Sequence, residues 1–142
     1  MSMWLGNFDK QLYSVYTRTL YYTLGMYSFS DRRLKSNIKN WQGSTLDKIG
    51  KINIYRYDLD ISKFGELPEK STKKLTDESR NQIGFMAQEI QNEFPELVRS
   101  ATDEGYLAVN YVSMIPILLA AINEQQELIK ELQAKVEILE NK

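Results

Sequence analysis

The C-terminal residues of the chain have its most regular apolar pattern. Two series of positions recur every seven residues, the second three places after the first. They are Ile115, Ile122, Ile129 and Val136, followed by Leu118, Gln125, Leu132 and Leu139. This is the a/d pattern of a coiled coil, and at about 1.5 Å per residue it predicts about 40 Å of helix. We therefore predict a C-terminal helix over residues 113–142 that associates with other copies of the chain.

The number of associating copies does not follow from this pattern. β-branched residues at a with Leu at d favour two strands, whereas a polar Gln125 at a d position is the kind of layer that fixes register or oligomer state. Dimer and trimer both stay open. The alternative to association is one amphipathic helix packed on its own domain, but the preceding residues offer too little core to cover so long a stripe. Ser113 is the expected N-cap, which places Pro116 in the first turn.

Shorter apolar patterns precede this helix and indicate a mixed α+β domain. Polar and apolar residues alternate over residues 52–61, which predicts a half-buried strand, and residues 106–112 are a second β-prone stretch. Met86, Ile90 and Phe94 share one helical face that Pro95 ends. The expected fold is a small globular part with a short strand region, followed by the long helix.

Residues 62–82 are polar, charged and mostly without period. A loop of this length is uncommon inside a compact domain and is usually functional or solvated. We interpret it either as a solvated insertion or as an arm that contacts a partner. Residues 1–29 are rich in aromatic side chains and are interpreted as a leader or as the end of an upstream segment.

Composition excludes several chemistries. The 142 residues include no Cys and no His, so thiolates, disulfides, the commonest general base and the commonest metal ligand are all missing. With 18 basic and 19 acidic residues there is no basic excess for nucleic-acid binding. No apolar run reaches 18 residues, so no membrane span is predicted. No cofactor and no metal are expected.

The stretch YSFSDRRLKSNI, residues 27–38, contains the candidate chemistry. Ser30 precedes Lys35 by five positions, and without His a lysine is the remaining base of useful strength. A lysine serves as a base only when neutral, so its pKa must fall well below the usual value of about 10.4. Residues five apart do not meet in a strand or a helix, so either a turn or a neighbouring protomer must bring the two side chains together. By itself the pair is weak evidence for catalysis, because a Ser and a Lys five positions apart occur by chance in most charged loops.

The order of several segments resembles one family. SDRRLKSNI, then YRYD, then IGFMAQEIQNEFPELV, then YLAVNYVSMIPILLAAINEQQELIKEL resemble, over about residues 30–140, the C-terminal intramolecular chaperone domain of phage endosialidases, tail spikes and tail fibres. The same domain occurs in myelin regulatory factor. The SDRRLK and GFMAQE…FPELV blocks are the specific parts of the match.

The resemblance implies a homotrimer that directs folding of the upstream fibre or spike and then cuts itself off by a Ser-Lys mechanism. Ser30 is then the nucleophile, Lys35 the base and Phe29–Ser30 the cut bond. Residues 30–112 become the globular part, 62–82 its variable arm and 113–142 the trimerisation helix. The expected place is a virion tail fibre or spike, assembled in the host cytoplasm.

The residues between the pair have open roles. Arg32 and Arg33 either favour a neutral lysine through their positive charge or are plain surface charges. Asp31 either orients Lys35 or caps the turn. Two other functions also stay open: a structural trimerisation module that never cleaves, and a dimeric coiled-coil adaptor unrelated to phage that assembles without residues 1–112.

Overall fold

A computed structural model describes residues 20, 22–23, 25–64 and 72–142. The chain divides into two units, Met1–Lys39 and Asn40–Lys142. Most of the predicted leader, and residues 65–71 of the predicted arm, lie outside the described residues. In the first unit the described secondary structure is one 3-10 turn, Arg32–Leu34.

The second unit contains four helices and four short strands among its described residues. In chain order these are α1 (Thr45–Ile49), β1 (Tyr55–Tyr57), α2 (Thr72–Glu78), β2 (Gln82–Gly84), α3 (Ala87–Glu93), β3 (Val98–Ser100), β4 (Leu107–Val109) and α4 (Tyr111–Glu140), with 3-10 turns at Ile61–Phe64 and Pro95–Leu97. β1 pairs with β2 and β3 with β4, both antiparallel. The prediction of a small mixed part followed by a long C-terminal helix is confirmed.

The first strand is shorter than the alternating pattern predicted. Alternation holds over β1, where Tyr55 and Tyr57 are half-buried and Arg56 between them is exposed. The next polar residue, Asp58, accepts a hydrogen bond from the backbone N–H of Asn81 at 2.8 Å. The regular strand ladder ends at this side-chain contact, and the Leu59 backbone N–H then donates to the Ser79 carbonyl at 2.9 Å.

The expectation that residues 62–82 lack regular structure was wrong for α2. The helix is stabilised locally: Lys74 and Glu78 form an i,i+4 ion pair at 3.6 Å, and the Thr76 hydroxyl donates to the Thr72 carbonyl. None of the residues of α2 is buried. A helix that packs no apolar face leaves no period in the sequence, which is why the pattern did not show it.

The core forms where α3, the turn after it and α4 meet. Its buried members are Ile90, Phe94, Leu97, Met114 and Ile117. Phe94 is the C-cap of α3, its backbone has left the helical region (φ −139°, ψ 67°), and Pro95 starts the next turn. The predicted stop at Pro95 is confirmed.

The long helix α4 begins earlier than predicted. Its N-cap is Asn110, not Ser113; the Asn110 side chain accepts the Ser113 backbone N–H at 3.1 Å. Pro116 consequently lies in the second turn, where its missing N–H leaves the Val112 carbonyl without its usual helical donor. Among the described residues no helix is long and apolar enough to cross a membrane.

Candidate processing site and association surface

The Ser30 and Lys35 side chains meet within one chain. The Lys35 Nζ donates a hydrogen bond to the Ser30 Oγ at 2.7 Å. This heavy-atom distance is inside the range over which a general base takes a hydroxyl proton. The geometry therefore allows proton transfer between the two groups without a residue from a neighbouring protomer.

A tight backbone turn allows the Ser30 and Lys35 side chains to touch although they are five positions apart. Asp31 and Lys35 are both extended and flank the 3-10 turn Arg32–Leu34. Backbone hydrogen bonds from Leu34 N to the Asp31 carbonyl and from Lys35 N to the Arg32 carbonyl, both 3.1 Å, close the turn. Because the chain reverses over only three residues, the side chains on either side of it can touch.

Asp31 caps this turn, and the hydrogen bonds described for its side chain come from Arg33. Its Oδ1 accepts the Arg33 backbone N–H at 2.8 Å, and its Oδ2 accepts the Arg33 Nη2 at 2.7 Å. The side-chain hydrogen bond from Arg33, followed by the backbone one, lowers the pKa of Asp31 below its ordinary 3.8. The Arg33 side chain therefore pairs with Asp31. This contact stabilises the 3-10 turn that places Ser30 beside Lys35.

The pair lies at the surface of the single chain. Ser30, Lys35 and Phe29, whose side chain is 78% exposed, all face solvent. A lysine base must be neutral, and burial is what favours the neutral amine. The single chain thus supplies the distance between the two groups but not the water-free surroundings. No cluster of three or more potential metal ligands occurs in the part of the chain that the structure describes.

The predicted a/d residues form an uncovered stripe along α4. All eight are exposed: Ile115, Leu118, Ile122, Gln125, Ile129, Leu132, Val136 and Leu139. The apolar members are between 42% and 65% exposed. We call this set the a/d stripe. Isolated apolar side chains are common on the surfaces of monomeric proteins, whereas a contiguous exposed stripe of this length is unusual there.

A different face of α4 packs on its own domain. Met114, Ile117 and Ala121 are buried, and each precedes an a/d residue by one position. One position is a rotation of about 100° around the helix, so the two faces are separate. The intramolecular packing of α4 therefore leaves the a/d stripe unused, and from Gln125 to Glu140 every residue is exposed.

Two glutamates that the sequence did not single out join distant elements. Glu89, in the GFMAQE block, accepts the Tyr55 hydroxyl at 2.5 Å and the Asn53 backbone N–H at 2.9 Å, which ties α3 to β1. These bonds, the one from Tyr55 first, lower the pKa of Glu89. Glu124 on α4 accepts backbone N–H groups of α1, 79 positions earlier. Backbone donors leave no residue pattern, so the bonds from Asn53, Thr45 and Leu46 could not be found from sequence.

Comparison with known proteins identifies a family for part of the chain. Residues 30–99 match the family described as chaperone of endosialidase. The chain is 30% identical over 112 residues to the long tail fiber protein Gp37 of Enterobacteria phage M1, covering 76% of this chain and 40% of that protein. It is 34% identical over 113 residues to the Gp37 of Escherichia phage AR1, covering 79% and 9%.

A further similarity lies outside phages. An uncharacterized membrane protein of Dictyostelium discoideum is 30% identical over 109 residues, 77% of this chain and 6% of that protein. The chain spans less than half the length of the first curated relatives that it matches. The matched segment contains Ser30, Lys35 and the GFMAQE block together. Through residues 30–99 the chain therefore belongs to the chaperone-of-endosialidase family.

Proposed function

We propose that this chain is an intramolecular chaperone that trimerises a phage tail fibre or spike and releases itself by cutting the Phe29–Ser30 bond. The observation that carries the proposal is the 2.7 Å contact between Lys35 Nζ and Ser30 Oγ inside the family's motif. The tail fibre relatives support association with a fibre segment in the virion. Assembly would take place in the host cytoplasm, before the fibre joins the particle.

Self-association is the proposed role of the a/d stripe. One apolar face of α4 already packs on its own domain. A second apolar face is therefore not needed for folding of the single chain. Three copies related by a closed rotation axis would bury the three stripes against one another. Residues 30–112 then form the globular part, 1–29 the end of the upstream segment and the region around 62–82 an arm beside the stalk.

The proposed chemistry uses only groups of the motif. The Ser30 Oγ attacks the Phe29 carbonyl carbon through a five-membered ring while neutral Lys35 accepts the hydroxyl proton. The C–N bond breaks, Lys35 returns the proton to the freed Ser30 amine, and Phe29 is left as an ester on the Ser30 oxygen. Water then hydrolyses the ester. Assembly would supply the burial that makes the amine neutral, so cutting would follow trimer formation.

A non-cleaving structural module is the second candidate. It is favoured by the exposure of Ser30 and Lys35, because the single chain does not provide the burial that a lysine base requires. In that case the 2.7 Å contact is an ordinary surface hydrogen bond, and the domain stays attached to its fibre.

Mass spectrometry of the freshly expressed chain distinguishes the two. Processing predicts a fragment that begins at Ser30, absent in Ser30→Ala and Lys35→Ala. Lys35→Arg is a sharper variant, because arginine keeps the charge and the donor but cannot become neutral, so it should also stop cleavage. Lys39→Ala removes an exposed lysine of the same unit and should cut normally. An assembled wild-type protein that stays full length would establish the structural module instead.

A further inference from the structure

Glu124 makes hydrogen bonds to α1 that neither the heptad pattern nor the Ser-Lys motif explains. Its Oε1 accepts the Thr45 backbone N–H at 2.8 Å, and its Oε2 accepts the Leu46 backbone N–H at 2.9 Å. Both donors belong to the first turn of α1. A carboxylate of the C-terminal helix therefore caps the first helix of the second unit, and we call this contact the Glu124 cap.

The start of α1 depends on this outside acceptor. The first N–H groups of any helix have no partner within the helix. Ser44, at the N-cap position, makes no side-chain capping bond. With five residues, α1 is also far shorter than a helix that is stable alone. A negative group at the N-terminus is favourable on electrostatic grounds as well, so Glu124 supplies two stabilising effects together.

The cap extends to Trp41 through a buried side chain. Thr45 is 1% exposed, and its Oγ1 accepts the Trp41 Nε1–H at 2.9 Å. The Trp41 ring also stacks near the core residue Phe94, with ring centroids 6.3 Å apart. Trp41 follows Lys35 by six positions along the chain. The bonded series Glu124–Thr45–Trp41 thus joins α4 to α1 and to Trp41, near the start of the second unit.

The Glu124 cap also lies at the point along α4 where its packing against the domain ends. Glu124 is half-buried on the intramolecular face, and every later residue of α4 is exposed. It is flanked by the a/d residues Ile122 and Gln125. Association of the exposed part would stabilise α4 as a helix up to this point, since tertiary or quaternary burial provides most helix stability.

We propose that Glu124 is a positioning residue through which assembly of the α4 tails orders the chain that carries the Ser30–Lys35 turn. The step to cleavage rests on the function proposed above. Assembly stabilises α4, α4 holds Glu124 in place, and Glu124 orders Thr45, Leu46 and Trp41. Thermodynamic linkage makes the effect reciprocal. If assembly raises the equilibrium constant for forming the Glu124 cap by some factor, the cap raises the association constant by the same factor.

The test measures amide hydrogen exchange and cleavage on the full chain. Glu124→Ala removes the cap, and Glu124→Gln keeps one neutral oxygen acceptor. The control is Glu131→Gln, seven residues further on, at the same heptad position and exposed. In wild type, exchange of the Thr45 and Leu46 amides should slow as the concentration is raised through assembly. Loss of a charge-assisted cap should speed their exchange in the assembled protein by at least about tenfold.

Cleavage is compared at concentrations where wild type and variants are equally assembled. Glu124→Ala should cut at least about tenfold more slowly, Glu124→Gln should be intermediate, and Glu131→Gln should match wild type. Ile117→Val, a mild core change, is the control for a general loss of stability. It should leave the cleavage rate of assembled protein unchanged. Far-UV circular dichroism verifies that each variant is folded.

Two results would overturn the proposal. One is wild-type cleavage in fully assembled Glu124→Ala, and the other is exchange at Thr45 and Leu46 that does not respond to assembly. If assembled wild type never cuts, the proposed processing fails, and the exchange measurement alone then decides whether Glu124 couples α4 to α1. Exchange that depends on both assembly and Glu124 would support the coupling even in that case.

Discussion

Truncation of Ile122 to Ala tests whether the a/d stripe holds copies of the chain together. The side chain is 60% exposed in one chain, so association is expected to bury most of it. Removing it should cost about 1.5 kcal/mol per chain in lost burial, or about 4.5 kcal/mol for three copies. That is roughly three decades in the trimer association constant. Because trimer formation depends on the square of the concentration, the assembly midpoint should rise about 40-fold.

Sedimentation equilibrium of full-length protein measures this midpoint directly. A Ser30→Ala background keeps the chain intact during the run. The thermal stability of the dissociated chain should change little, because the removed atoms face solvent there and alanine has a good helix propensity. The change should therefore appear in association and not in folding.

Ile138→Ala is the matched control. This isoleucine lies on the same helix and is 61% exposed, but it stands outside the a/d stripe. Its truncation should move the midpoint less than about threefold. Equal shifts for Ile122→Ala and Ile138→Ala would show that the stripe is not the contact surface. Data that fit a monomer–dimer equilibrium would refute the trimer.

Three further predictions concern the turn, the Glu124 cap and the packing of the strand region. Asp31→Ala should slow cleavage about tenfold by loosening the turn that Asp31 and Arg33 hold, as measured by mass spectrometry over time. Hydrogen bonds from the Leu46 backbone, then from the Thr45 side chain and the Thr45 backbone, lower the pKa of Glu124 from its ordinary 4.5. Its stabilisation should therefore be complete above that pH and lost as the pH falls below it, as acid unfolding measures. Gly84→Ala should destabilise by about 1–3 kcal/mol, because its Cβ would lie 2.5 Å from the Tyr111 Oη, in denaturant unfolding.

Each of these has a control in the same chain. Asp103→Ala removes an exposed loop carboxylate and should cut at the wild-type rate. Glu124→Gln should reduce the acid-dependent loss that Glu131→Gln retains in full, while Glu89, whose pKa is also lowered, keeps its own share. An unchanged acid profile would contradict the cap. Gly50→Ala, at an α-helical φ of −60°, should change stability by less than about 1 kcal/mol. A Gly84→Ala protein as stable as Gly50→Ala would contradict the close approach of Tyr111.

The predictable elements were those whose residues repeat on one face. The heptads indicated α4, and the a/d stripe proved to be separate from the face of Met114 and Ile117 that packs on the domain. The start of α4 was missed because Asn110 and Ser113 are both good N-caps, and the end of β4 at Val109 decides between them.

The site was predictable only in part, for a different reason. The five-residue spacing excluded strand and helix and required a turn or a neighbour, but Asp31 could pair with Lys35 or with Arg33 at similar cost. Its choice of Arg33 is a matter of local geometry that spacing does not reveal. The Glu124 cap was beyond sequence analysis, since its donors are backbone N–H groups far along the chain.

The separation of the two faces on α4 has a practical consequence for engineering. The part of α4 beyond Glu124 makes no contribution to the buried core, so its heptads are exchangeable without disturbing the domain. A designed dimeric or tetrameric zipper spliced after Gln125, in the same register, would impose a new copy number once the earlier a/d residues Ile115, Leu118 and Ile122 are matched to it. Stoichiometry could thus be programmed independently of the residues that fold the domain.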